Sequence, residues 1–169
     1  NDYTIYKRMT ELNQPLDDQL REIKRRLRAA MNGVLSGTMR KNGVDYRVNF
    51  GVDQPRLAEI ATEIPHTYEL AAALWKEDIR ELRLLAIMTM PQSDFDEELA
   101  MLWMEQLRYA EEAQVLVLHL LQHRPYASSM AFRLISTEVL IQRLVGWLLL
   151  GRLFMAGLHP TQRDADELL

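Results

Sequence analysis

A guanidinium inside an otherwise apolar run is the first feature of this chain whose type and place demand chemistry. Between Val139 and Met155 only Gln142, Arg143 and Arg152 are polar. Burying an arginine without a partner is costly, so Arg143 must meet a carboxylate, a phosphate or water. Two outcomes are open: a structural bridge to Glu111, Glu112 or Glu138, or a ligand contact on the wall of a groove. Trp147 follows one helical turn later and shares its side, which sets an aromatic surface beside a planar cation. His119 and His123 stand four residues apart and could share a helix face, as metal ligands do. The residues between them are Leu120, Leu121 and Gln122, no carboxylate sits in the adjacent turn, and His123 abuts Arg124. They therefore read as surface or internally satisfied histidines, and neither a metal nor a cofactor is expected.

Charge is sorted along the chain. The net charge of −4 conceals ten Lys/Arg against five Asp/Glu between Lys7 and Arg47, and ten against nineteen elsewhere. The cations concentrate at Arg21, Lys24, Arg25, Arg26 and Arg28, followed by Arg40, Lys41 and Arg47. Such a run is either a solvated helix face or a stripe that faces phosphates.

Gly-rich phosphate loops, HExxH, GxSxG, kinase and EF-hand motifs are all absent, which removes most enzyme classes. With no cysteine among 169 residues there is no thiolate zinc site, redox pair or Cys nucleophile. The start does not resemble a signal peptide. The most apolar run, Leu144 to Leu150, lies between Arg143 and Arg152 and falls well short of the roughly 20 residues that span a bilayer. A cytoplasmic protein with no membrane partner is the expectation.

The elements that must position these residues are helices throughout, so the fold class is all-α. The spacing of Leu16, Leu20, Ile23, Leu27, Met31 and Leu35 predicts one helix that starts with Asn13 as cap and Pro15 in its first turn. Asn42 to Asn49 contains a turn dipeptide and reads as a loop or short extended piece. Asp53 caps a helix that Pro65 closes. Others run from Thr67 to about Glu77 and from Ile79 to Met90. Ser93 is expected to cap Asp94 to Leu107. Tyr109 to about His123 follows, then Tyr126 to Leu134, then a very apolar helix capped by Ser136 or Thr137 that reaches Ala156 and stops at His159-Pro160. Helices of this length joined by short turns imply stacked hairpins over residues 1–169, a HEAT-type array with one inner and one outer surface, although a closed bundle would share the pattern.

Three phrases carry a family resemblance: Asn49-Phe50-Gly51-Val52-Asp53-Gln54-Pro55-Arg56-Leu57-Ala58-Glu59-Ile60-Ala61, Tyr68-Glu69-Leu70-Ala71 with Leu74-Trp75-Lys76, and Ile79-Arg80-Glu81-Leu82-Arg83-Leu84-Leu85-Ala86. Together with Leu120 to Ala127 (LLQHRPYA) and the Arg143 helix they resemble the DNA alkylation repair family of HEAT-like proteins, over about residues 30 to 157. The resemblance implies a right-handed α-α superhelix of helical hairpin repeats that holds duplex DNA on its concave face. Active members would excise N3- or N7-alkylated purines without metal or cofactor. A Trp, an Asp four residues later and an Arg on a following helix would do this by stabilising positive charge on the sugar and holding phosphate.

Extended without a gap, the match puts the family Trp at Ala110 and the family Asp at Gln114, and keeps only Arg143. A Gln has no net charge, so its substitution should remove several kcal/mol of transition-state stabilisation. Glu111 is the nearest replacement carboxylate, and Tyr109 or Trp103 the nearest aromatic. The expected phosphate contacts are Lys24, Arg28, Arg40, Lys41, Arg47, Arg108 and Arg143, with Trp147 beside them. The residues after Pro160 read as the start of another helix, and the family's last repeats as missing. The expected function is DNA binding with glycosylase activity in question; the competing one is a protein-interaction scaffold on the same fold.

Overall fold

The computed structural model describes residues 2–157. They form helices only, apart from one isolated parallel β-bridge between Val48 and Ile79, and they divide into two compact units between Thr89 and Met90. The all-α reading therefore stands; the expected stop at His159-Pro160 and the helix after it lie outside the described residues.

The first unit contains α1 (Asp2–Ala29), α2 (Gly33–Lys41), α3 (Gln54–Glu63), α4 (Tyr68–Trp75) and α5 (Arg80–Thr89). The cap reading at Asp53 holds, and Thr67, the expected start of the next helix, is that helix's cap. The Asp53 carboxylate accepts from Arg56 N at 2.9 Å, the Thr67 hydroxyl from Leu70 N at 3.2 Å, and Pro55 stands in the first turn of α3. The first helix differs from expectation at both ends. It is already running before Asn13, so Pro15 lies inside it rather than at its start. It also stops at Ala29, because Asn32 begins a new helix: its side-chain oxygen accepts from Val34 N and Leu35 N, both at 3.1 Å, while its own N–H donates to Phe50 O at 2.8 Å. A cap and a long-range backbone bond thus break a periodicity that runs on through Leu35.

A buried ion pair ties the Phe50–Val52 segment to α5. Arg80 and Glu81 are almost fully enclosed and joined at 2.9 Å. The Glu81 carboxylate accepts from Phe50 N at 2.7 Å, and the Arg80 guanidinium donates to Val52 O at 2.7 Å. Burial pushes the Glu81 carboxyl up, opposed by the Phe50 amide and by Arg80. The charges are balanced, and the backbone groups of a segment with no secondary structure find partners inside the protein. Beneath them Leu57, Ile60, Leu70, Leu74, Leu82 and Leu85 form the core, and Arg83 lies 3.9 Å over the Trp75 ring.

The second unit contains α6 (Glu97–Glu105), α7 (Ala110–His119), α8 (Ala127–Ile135) and α9 (Leu140–Met155), with 3-10 turns at Gln92–Asp94 and Leu121–His123. Asp96, not Ser93, caps α6, accepting from Leu99 N at 2.8 Å, because the 3-10 turn occupies the preceding residues. Neither Ser136 nor Thr137 is the cap of α9, which begins after Val139. Consecutive helices pack in pairs: α8 lies against α9, as α4 does against α5 in the first unit, and α7 also contacts α9. The α8–α9 approach depends on Gly146, where a Cβ would come within 2.7 Å of Ile135 N. Among the described residues no helix is long and apolar enough to cross a membrane.

Candidate nucleic-acid interface

The cations of α1 are largely consumed by their neighbours. Arg21 pairs with Asp18 at 3.1 Å, Arg25 with Glu22 at 2.7 Å, Lys24 with Glu77 at 3.2 Å, and Arg26 spans Glu22 and Glu63 at 3.2 and 2.7 Å. Hydrogen bonds from Arg25 and Arg26 hold the Glu22 carboxyl down at about 2. Lys24, an expected phosphate contact, is thus already engaged by a carboxylate 53 residues away. Arg28 at the end of the helix is exposed and has no ion pair among the described residues.

Arg40, Lys41 and Arg47 are arranged differently. Arg40 and Lys41 occupy the last turn of α2, where the helix dipole favours cations. The chain then reverses through Gly43, whose φ of 89° few other residues adopt and whose N–H donates to Arg40 O at 3.1 Å. Arg47 follows immediately before the Val48 bridge. All three are exposed, and none has an ion-pair partner among the described residues. One helix end and the turn after it present three uncommitted positive charges.

In the second unit, Ala110 and Gln114 are exposed one turn apart on α7, and Leu118 continues the same face. Glu111 is half-buried, about 60° around the helix from Gln114. The start of α7 is held by Glu112, fully buried, whose carboxylate accepts from Arg108 N at 2.8 Å and Tyr109 N at 3.2 Å. Tyr109 is half-buried with the exposed Arg108 guanidinium 5.2 Å from its ring. Trp103 is no substitute aromatic: it is only 4% exposed and packs edge-on against Phe95 at 5.3 Å.

Arg143 is half-buried, and its Nε donates to Thr137 O at 2.9 Å. It makes no ion pair among the described residues, so the bridge to Glu111, Glu112 or Glu138 is not formed; the carbonyl left free at the α8–α9 turn takes that role. Trp147 is 54% exposed and lies on the outer face of α9 with Leu140, Phe154 and Met155. Nothing in the sequence distinguished that solvent face from a buried one, because α9 is apolar all round.

Burial of His119, reinforced by the neighbouring His123, holds its imidazole below the ordinary histidine value. Among the described residues no third His, Asp or Glu joins these two to form a metal set. A histidine whose folded value is depressed favours the neutral ring, so the unfolded chain binds more protons as pH falls through 6.5. The urea midpoint is expected to drop between pH 7.5 and 5.5, and His119→Gln should shrink that drop. An unchanged pH dependence in the variant would show that another group is responsible.

An all-helical chain whose neighbouring helices pack against one another has the architecture of an α-helical repeat protein. The profile of the DNA alkylation repair enzyme family matches residues 23–150, most of the chain, and the protein belongs to that family. No curated protein and no solved structure gives a significant match.

The residues that sequence reasoning missed are Arg80 and Glu81. Their signal was present in two adjacent, opposite charges leading into Leu82-Arg83-Leu84-Leu85-Ala86-Ile87, a stretch apolar but for Arg83.

Proposed function

We propose that this protein binds duplex DNA through its phosphates and does not excise alkylated bases. The observation that carries the reading is the trio Arg40, Lys41 and Arg47, free of carboxylates where Arg21, Lys24, Arg25 and Arg26 of α1 are each paired with one. Within a family of DNA alkylation repair enzymes, uncommitted cations on a firm helix end suit a polyanion. Arg28, exposed in the same unit and without an ion pair among the described residues, would add a contact. At Ala110 and Gln114, which the ungapped resemblance sets at the family Trp and Asp, solvent meets a methyl group and an uncharged amide. Neither can stabilise a cationic sugar, and the half-buried Glu111 is displaced around the helix from that spot.

The test is duplex affinity as a function of salt. Affinity is expected to fall steeply with rising salt, and each of Arg40→Gln, Lys41→Gln and Arg47→Gln should lower the log–log slope by about one. A salt-independent affinity, or a triple variant that binds like the parent, would refute the DNA reading. Release of a methylated purine from duplex substrate above background would refute the absence of excision.

A further inference from the structure

The outer face of α9 carries a second, chemically different surface. Leu140, Leu144, Trp147, Gly151 and Phe154 follow one another at alternating intervals of four and three residues. That is the spacing with which one helix packs lengthwise on another. Most of the stripe faces solvent: Leu140 is 76% exposed, Trp147 54% and Phe154 47%, with Met155 beside them at 78%, while Leu144 is half-buried. Within it Gly151 is exposed, with nothing within 4 Å of where a Cβ would stand. It leaves a notch between Trp147 and Phe154 into which a side chain of an apposed helix would fit. A phosphate backbone gains nothing from such an apolar ridge, so its chemistry asks for a different occupant.

Charge selects the occupant. Across Leu140–Met155 there are two arginines, Arg143 and Arg152, and no Asp or Glu; the nearest acid in sequence, Glu138, precedes the helix. Arg143 flanks the stripe, half-buried, with its Nε committed to Thr137 O. A helix laid along α9 would withdraw that guanidinium further from water, which is favourable only if a carboxylate meets it. A second copy of α9 has no carboxylate to offer. We infer that the Leu140–Phe154 stripe with its Gly151 notch docks an amphipathic helix of a protein partner that carries acidic residues beside its apolar seam.

The probe is a synthetic amphipathic helix of about three to four turns with Leu along the seam and Glu flanking it, compared with the same peptide carrying Lys in place of Glu. Trp75 and Trp103 are 3% and 4% exposed, so a change in tryptophan emission on titrating the full chain reports Trp147. The Glu peptide should bind with a blue shift, and the Lys peptide roughly tenfold more weakly or not at all. Gly151→Leu, which fills the notch at an open helical position, should abolish binding while leaving the thermal midpoint equal or higher. Trp147→Ser should abolish the spectral response and weaken binding measured by calorimetry. Equal binding of both peptides, no binding of either, or full binding by Gly151→Leu would overturn the proposal. So would sedimentation showing a dimer that Gly151→Leu dissociates, since the occupant would then be a second copy.

Discussion

Arg80→Ala is expected to destabilise the first unit by about 3–5 kcal/mol, a large share of the total stability of a small domain. The guanidinium has two tasks: it neutralises Glu81 at 2.9 Å and caps Val52 O at 2.7 Å. Its removal strands a carboxylate that is fully buried and still bound to Phe50 N. The sign of the pH response distinguishes this account from simple loss of packing. Without the cation, burial should raise the Glu81 carboxyl further, so the folded variant would hold a proton that the unfolded chain releases. Its stability would therefore rise as pH falls from neutrality toward the ordinary carboxylate range. Urea melts of the variant at pH 7 and pH 5 measure the effect. Arg80→Ala with Glu81→Gln should lose that pH response. A single variant that melts like the parent at pH 7 would mean that the pair does not hold the segment.

The same ion pair explains which parts of the protein were legible from sequence. Asp53, Pro55 and Pro65 act within a few residues of themselves, so that cap and that stop could be read directly. The helical periodicity of α3, α4 and α5 needed nothing further. What failed to show was anything fixed across distance. The break at Ala30–Asn32 requires Phe50 O, and the loss of Lys24 as a free cation requires Glu77. Phe50-Gly51-Val52 and Arg80-Glu81 could be recognised as family phrases, yet their physical meaning, a loop clamped to a buried ion pair, appears only when the two are side by side. The candidate site divides similarly. The four-residue spacing of Ala110 and Gln114 put them on one face of a helix, and both are exposed on α7, whereas the burial of Trp103 and the exposure of Trp147 depended on which faces of apolar helices met neighbours. Periodicity cannot report that for a helix apolar on every side.

Gly51→Ala is expected to be at least as damaging, through the backbone. Gly51 has φ 70°, and a Cβ there would overlap the carbonyl oxygen of Asn32 and come within 2.9 Å of Ser36 N. The left-handed conformation alone costs an alanine about 1–2 kcal/mol. The overlap is with main-chain atoms that cap α2, so it cannot be relieved by rotating a side chain. Relief would mean moving the Asn32 to Phe50 hydrogen bond, and with it the start of the helix that ends in Arg40 and Lys41. Gly37 supplies the control, since it lies within α2 with open space around its Cα; Gly37→Ala should be neutral or stabilise by up to about 1 kcal/mol. Denaturant melts of the two variants should therefore move in opposite directions or differ by several kcal/mol, although each adds one methyl group to a glycine. Under the DNA reading, Gly51→Ala should also weaken duplex binding at temperatures where the second unit remains folded, while Gly37→Ala keeps the parent's salt slope. Equal stability of the two variants would mean that the Phe50–Val52 segment does not approach α2 as closely as the geometry requires, and the proposed positioning of Arg40, Lys41 and Arg47 would lose its structural basis.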